Sequence, residues 1–545
     1  MEVTAVYDKP ALGGLGKMIA AAVLTAGVLA IPASAAPSGP SEQQLRMMSQ
    51  GALINYYARH PEAAPQQLRT LATALAHRGE LKAQPGARAS QFPMSGDLFN
   101  NDTLGLPQNE ESVARCRTNQ NLVLSGTNDF RGLLNPSFNF TGWHYSTDGG
   151  QSLFKEGLLP GIEFDGFAPV PSQGDPVAAF DSTCALYMAD LNIGESDGTF
   201  VSAIGLYQTI PETLAGCPGG DDPTCWPGRR FVAVDTTGTH FLDKPWMYVG
   251  VSNGQTVVWV TYTDFDFEAG TSTIKGVRCD ASLVDCTDPI DISVGDPLTQ
   301  FSDVTIGPDE RTYVTWVEIL LGPEGQQTFS IKLRVANSGS TSFGPERVVW
   351  NELTPIPFGG FLNANDFRVA TQPKSEVKLV GGNPRVFVIW ESCQARPLGV
   401  ACENSRIKLS YSDSFGAGWT QPKVISAGGN NYFGTINSNR GSTNLAVAYW
   451  TSRIDTVFTN RQYLELVTLS GGGSVVKRQI LNSPGNESEA DPFLGGFFIG
   501  DYIEVTAQGG VALVAFNANY RKEVLGLDDG IPVPQQDNYL VRATM

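Results

Sequence analysis

Residues 243–264, DKPWMYVGVSNGQTVVWVTYTD, open on an acidic residue, pass through one short strand and end in a second, more apolar strand, TVVWVTYTD (256–264). The same order recurs along the chain. Acidic or aromatic anchors stand at Glu110, Asp175, Asp243, Asp303, Asp366, Tyr432 and Asp501, separated by 60 to 69 residues. Apolar second strands follow each of them, among them NLVLSGTND (121–129), RVFVIWES (385–392) and VALVAFNAN (511–519). Third strands follow in turn, such as GWHYST (142–147), TIKGVRC (273–279) and IKLSYSD (407–413). A unit of this length with several short strands cannot bury both faces of its sheet alone, so it reads as one blade of a radial array. The expectation is an all-β chain, a β-propeller of seven blades, with six blades and one aberrant repeat as the alternative count.

Composition agrees with that reading and narrows the partners. The 545 residues hold 59 Gly and 34 Pro, which suits many turns between short strands. A formal charge of −18 argues against nucleic acid or an anionic membrane surface as partner, because Lys and Arg must neutralise phosphates. Lys9 and Lys17 precede an apolar run from Met18 to Ile31, and Ala33-Ser34-Ala35 comes next. That pattern predicts a secretory signal over 1–35 and a secreted protein, extracellular or periplasmic. The run is too short for a comfortable membrane span and no later stretch offers one.

Eight cysteines in an exported chain predict four disulfides. Cys217/Cys225, Cys279/Cys286 and Cys393/Cys402 are close in sequence, each suited to clip one loop. Cys116 and Cys184 remain, and both lie between the first and second strands of neighbouring repeats, where they could join adjacent blades. With only four His and no ligand spacing, zinc is not expected.

Residues 36–90 differ from the strand-rich remainder of the chain. Ser41 with Gln44 forms a capping box, and Leu68, Leu71 and Leu75 line one face, so a short helical segment is expected over 41–84. Propeptide, hairpin packed on the propeller and spacer are its three readings. The propeller is expected over 91–545. The last repeat ends after its third strand, NYLVRAT (538–544), so residues within 91–108 are expected to supply the missing outer strand and leave no open edge.

One stretch carries a family resemblance. Ser146-Thr147-Asp148-Gly149-Gly150-Gln151-Ser152-Leu153-Phe154 resembles the Asp-box, S-x-D-x-G-x-[ST]-W, of the sialidase-like (BNR-repeat) propellers, with an apolar pair in place of Trp. Weaker copies are Ser412 to Trp419, where Ser414 takes the Asp position, and Ala336 to Phe343. The openings Gly174-Asp175-Pro176, Asp243-Lys244-Pro245-Trp246 and Gly500-Asp501-Tyr502 look like those of secreted bacterial members. The resemblance covers about 105–545 and implies that Asp148 serves folding, on the face away from the ligand site. It also implies glycan chemistry, either as a glycosidase or as a non-catalytic propeller that binds glycan or protein.

Periodicity plus fold places Glu110, Asp175, Asp243, Asp303, Asp366 and Asp501 around one mouth of the central channel, with Lys244, Trp246, Arg368 and Tyr502 beside them. Three readings stand side by side. The carboxylates cap their own strands or pair with Lys244 and Arg368; they hold Ca²⁺, although no D-x-D-x-D-G loop is present; or they do glycan chemistry, their pKa values pushed apart by crowding, with Trp246 and Tyr502 stacking on sugar. On the glycosidase reading Asp243, Tyr502 and Glu504 are the catalytic candidates, since Tyr502 and Glu504 project from the same side of one strand. The family's sialidases also need an F/Y-R-I-P motif and three arginines. No such motif occurs here, and Arg115, Arg117 and Arg131 have the wrong surroundings.

Overall fold

Strand-forming segments rich in Val, Ile, Thr and aromatic residues fold into successive antiparallel sheets, each an up-and-down run of neighbouring strands. The computed structural model describes Leu53, Tyr56, Tyr57, residues 60–64 and residues 106–545, apart from 165–166, 197–198, 324, 366, 398–400, 440, 484, 488–490, 492–493, 495, 497 and 525–531. Among the described residues six sheets have four strands, and their first strands are Gln108–Arg115, Val177–Phe180, His240–Ser252, Thr299–Ile306, Lys374–Val380 and Asn431–Ser438. A seventh sheet has three, Glu504–Gln508, Val511–Val524 and Pro532–Thr544. We number these sheets 1 to 7 in chain order. Each first strand lies against the first strand of the next sheet, and that of sheet 7 returns to that of sheet 1. The sheets therefore close into a ring around a central channel, which makes the fold a β-propeller.

The second strands form the core between sheets. Trp259, Trp316, Trp390 and Trp450 lie on the second strands of sheets 3 to 6, all fully buried. Trp450 meets Phe516 of sheet 7 edge-on, with ring centroids 5.6 Å apart. Burying side chains of this size contributes about 1.5–3 kcal/mol each, which is why the repeating apolar strands dominate the sequence pattern.

Several first strands also carry a kink that the spacing of acidic residues only approximated. The pairing register slips between Asn109 and Ser112, between Asp243 and Trp246, between Gln300 and Asp303, and between Tyr432 and Thr435. At these bulges Glu110, Lys244, Phe301 and Phe433 adopt φ of 59°, 54°, 57° and 52°, and Asp175 adopts 54° at the corresponding opening of sheet 2. The true repeating feature is this left-handed residue, which turns a side chain toward its neighbours at the start of the strand. Glu110 and Asp175 occupy it. Asp243 and Tyr432 precede it by one residue, and Asp303 stands two residues after it.

Four disulfides are present: Cys217–Cys225, Cys279–Cys286, Cys393–Cys402, and Cys116–Cys184, which ties sheet 1 to sheet 2. In the 146–154 turn, Asp148 Oδ1 accepts from the N–H groups of Gln151 and Ser152, both at 2.9 Å, and Gly149 and Gly150 take φ of 80° and 84°. Leu153 packs inward while Phe154 is exposed.

Most of 36–90 lies outside the described residues. Within it, Leu53, Tyr56 and Tyr57 are helical and Pro61–Ala63 forms a 3-10 turn. Tyr57 and Ala64 are buried against Phe130 and Phe140 of sheet 1 and against Leu494 and Phe498 of the connection between sheets 6 and 7. Sheet 7 shows three strands among the described residues, and 91–105 is outside them. At that seam Gln535 Nε2 donates to the Leu106 carbonyl (2.9 Å) and Asn538 N to Gln108 Oε1 (3.2 Å).

Candidate functional site

The bulges at the start of the first strands gather a buried ionic cluster whose centre is Lys244. Its ammonium is paired with Asp501, lies 3.3 Å from Asp175 Oδ2 and 3.6 Å from Glu110 Oε1, and so joins sheets 1, 2, 3 and 7. Arg368 grips Asp501 with both arms, Nε to Oδ1 at 3.0 Å and a second bond to Oδ2. Asp243 accepts from the Lys244 backbone N–H at 2.9 Å. Asn128 donates to Glu110 (2.7 Å) and accepts from the Asp175 N–H (2.9 Å), fixing both acids in place.

These surroundings drive the carboxyls apart. Burial opposes ionisation of Asp501, but Arg368 and Lys244 outweigh it and hold the group down at about 2. Burial, with Asp175 beside it, pushes Glu110 well above the usual carboxylate range. Burial likewise raises Asp175, against the pull of Lys244. Lys244 stays charged although burial opposes it, because Asp175, Asp501 and Glu110 surround it.

A second group of residues adjoins the first. Lys374 places its ammonium 2.9 Å from the centre of the Trp246 ring and 3.8 Å from Asp303 Oδ1. Burial lowers it to about 8. Asp303 accepts from the N–H and hydroxyl of Ser375, at 2.8 and 2.6 Å. Glu504 accepts from the Val113 N–H at 2.8 Å, and burial pushes it up to about 8. Tyr502 donates its hydroxyl to the Pro176 carbonyl (3.1 Å) and meets Trp246 edge-on at 5.5 Å. Burial raises its pKa well above the ordinary tyrosine value.

Glu110, Asp175, Asp243, Lys244, Trp246, Asp303, Arg368, Asp501, Tyr502 and Glu504 thus gather at one end of the channel, whereas Asp366 lies outside the described residues. Sequence reasoning passed over Lys374, Gln372 and Asn128. Lys374 carried a signal, because QPKSEVKL (372–379) alternates charges on a strand that the repeat predicts to be innermost. Asp366 drew the reading away from it, since residues 360–369 form a small separate sheet with 401–402.

The space left at this end is small. A cavity of about 20 Å³ lies among Lys244, Trp246, Phe301, Gln372, Lys374 and Tyr502. Among the described residues no three His, Cys, Asp or Glu side chains are arranged to hold a metal ion. The Lys244 ammonium takes the point on which Glu110, Asp175 and Asp501 converge, so this donor set does not fit Ca²⁺. A much larger cavity, about 790 Å³, opens where the first strands end, lined from Arg117, Tyr248, Ile306, Glu376, Lys378 and Thr443 among others.

No family model matches the chain, and no curated protein does. Among solved structures it is similar to an α-L-arabinanase of Penicillium chrysogenum complexed with arabinobiose, at 12% identity and a TM-score of 0.41, over 72% of this chain and 100% of that one. It is similar to an α-L-arabinofuranosidase of Fusarium graminearum, at 11% identity and a TM-score of 0.39, over 67% and 92% of the two chains. It is also similar to an ulvan lyase, a polysaccharide lyase, at 7% identity and a TM-score of 0.42, over 85% and 94%.

Proposed function

We propose that the protein is an exported, seven-bladed propeller of sialidase-like type that acts on glycans as a glycoside hydrolase. The observation that carries the reading is a carboxyl held protonated up to about 8, Glu504, at the same channel end as the Asp243 carboxyl, which lies by the Lys244 ammonium. Environments that separate acid from base in this way are what glycoside cleavage requires. In this proposal Glu504 donates the proton to the leaving oxygen, Asp243 supplies the carboxylate, and the Trp246 and Tyr502 rings face the sugar. Glu110, Asp175, Lys244, Asp303, Arg368 and Asp501 form the supporting shell. Substrate entry then requires the layer of Tyr57, Ala64, Leu494 and Phe498 to move, because Phe498 lies over Arg368 at 5.6 Å. The four disulfides support an oxidising compartment as the working environment.

A second reading is favoured by the 20 Å³ void and by the engagement of Asp501, Asp175 and Glu110 with Lys244. On it the cluster is a structural hub and nothing more, and the protein binds glycan or protein without cleaving it. Hydrolysis of a panel of fluorogenic glycosides, with Asp243→Asn, Glu504→Gln and Tyr502→Phe alongside, separates the two. Turnover that collapses in Glu504→Gln is the expected result. No turnover on any sugar by a folded, disulfide-intact sample leaves the binding reading.

A further inference from the structure

The channel end opposite Lys244 holds a cavity of about 790 Å³, and the glycosidase reading makes no use of it. Its walls come from the ends of the first strands and the turns after them in sheets 1, 3, 4, 5 and 6, so it sits on the ring axis and not between two blades. That volume is within the range of sites that take drug-sized ligands.

Its lining is divided by chemistry. Ile306, Val251 and Leu379 are apolar, and the half-buried Tyr248 adds an aromatic surface. Arg117 brings an exposed guanidinium that makes no hydrogen bond or ion pair with any described residue, although its carbonyl accepts from Gln508. Lys378 donates to the Asn439 carbonyl at 2.8 Å, which leaves two of its three N–H groups. Glu376 accepts from the Val377 N–H (3.1 Å) and from Asn437 Nδ2 (3.4 Å). Ser438, Ser442 and Thr443 add hydroxyls along one wall, that of Ser438 bonded to Glu376. In a chain of net charge −18, this cavity brings together an unpaired guanidinium, a partly satisfied ammonium and a row of hydroxyls, with the carboxyls of Glu376 and Glu310 also on its wall.

We propose that this cavity is a binding site for an acidic saccharide, a uronate-type unit with its carboxylate on Arg117. Lys378, Glu376 and the Ser/Thr wall then meet the sugar hydroxyls, and the ring lies against Tyr248. A planar guanidinium fork matches a carboxylate, and mixed donors and acceptors over an apolar floor match a polyol. The titratable and charged groups around Glu376 are Lys378 on its own strand and Tyr248 from sheet 3, with Arg117 from sheet 1 and Glu310 from sheet 4 on the same cavity wall. Burial holds Glu376 up at about 7, so its ionisation above that point adds a negative charge beside the bound carboxylate.

The test is calorimetric titration of the full, disulfide-intact chain with trigalacturonate, beside the neutral trisaccharide maltotriose. Trigalacturonate is expected to saturate, and to bind about tenfold or more weakly to Arg117→Gln and to Thr443→Trp, which fills the cavity from its Ser/Thr wall. Its affinity is expected to fall between about pH 6 and about pH 8, and this slope to vanish in Glu376→Gln. Absence of saturable binding up to about 10 mM, equal binding of maltotriose, or unchanged binding in both Arg117→Gln and Thr443→Trp overturns the proposal. The readout is binding, not turnover, so a failed glycoside panel leaves this site standing and its own failure leaves the panel's result intact.

Discussion

Lys244 shows what a single side chain decides here. Its ammonium is buried among carboxyls from three other sheets, and among the described residues no other cation forms an ion pair with Glu110 or Asp175. Removing one partner of a buried ion pair leaves the others uncompensated, so Lys244→Met is expected to cost about 3–5 kcal/mol in urea denaturation. A loss of under about 1 kcal/mol would show that the cluster is solvated and not a hub. The carboxyls raised by burial set the pH response. Glu376 and Glu391 are held up at about 7 and Glu504 at about 8, against an ordinary 4.5. Each binds its proton more tightly folded than unfolded, so its contribution is complete below about pH 4.5 and is lost as pH rises through about 7 to about 8. Asp501 has the opposite sign: its contribution is present above the usual carboxylate range and lost as pH falls through about 2. The urea midpoint is therefore expected to decline between about pH 5 and about pH 8.5, with the upper part of the decline flattened in Glu504→Gln. A flat or rising midpoint contradicts the burial of these acids.

At the scale of elements, the first strand of each sheet combines a legible pattern with an illegible one. Acidic residues near its start stand out in the sequence, and Glu110, Asp175, Asp243, Asp303 and Asp501 lie together at one end of the channel. The bulge does not stand out, because a left-handed φ in Glu110, Asp175, Lys244 or Phe301 is imposed by the neighbouring sheets and has no residue signature of its own. That is why the sequence points to Asp243 as an inward anchor when the residue after it, Lys244, takes that position. Lys374 escapes notice for a related reason, since the small sheet at 360–369 displaces the fifth first strand from the interval that the other repeats suggest. Turns are more local and easier to read. In the 146–154 turn Asp148 accepts from two backbone N–H groups and from the hydroxyls of Ser146 and Ser152. Asp148→Ala is expected to lose about 1–2 kcal/mol in a denaturation curve. Ser414→Ala, at the Asp position of the weaker copy, is expected to lose less, its hydroxyl making a single side-chain contact of 3.3 Å with that of Ser412.

The whole molecule is a ring whose order was visible in the recurrence of strands and whose seam was not. The seventh sheet meets the first through side chains such as Glu504 on the Val113 N–H and Asn538 on Ser125, contacts between residues some 391 to 413 apart that no local pattern announces. The disulfides act on the same scale. Cys116–Cys184 closes 68 residues and Cys279–Cys286 closes 7, and chain entropy alone makes the first worth about 4 kcal/mol and the second about 2. Cys116→Ser with Cys184→Ser is therefore expected to lower the urea midpoint more than Cys279→Ser with Cys286→Ser, and the reverse order would mean that native-state packing outweighs loop length.

The Lys244 hub has one more consequence, for descent and not for stability. An array of like repeats can lengthen or shorten by copying or deleting a unit, since each sheet needs only its two neighbours. Here the third sheet's lysine must meet acids from the first, second and seventh sheets at one point. A copied or lost sheet would carry Asp501 around the circle and away from Lys244, stranding buried charge. The cluster therefore counts the sheets, and it obliges Glu110, Asp175, Lys244 and Asp501 to change together or not at all.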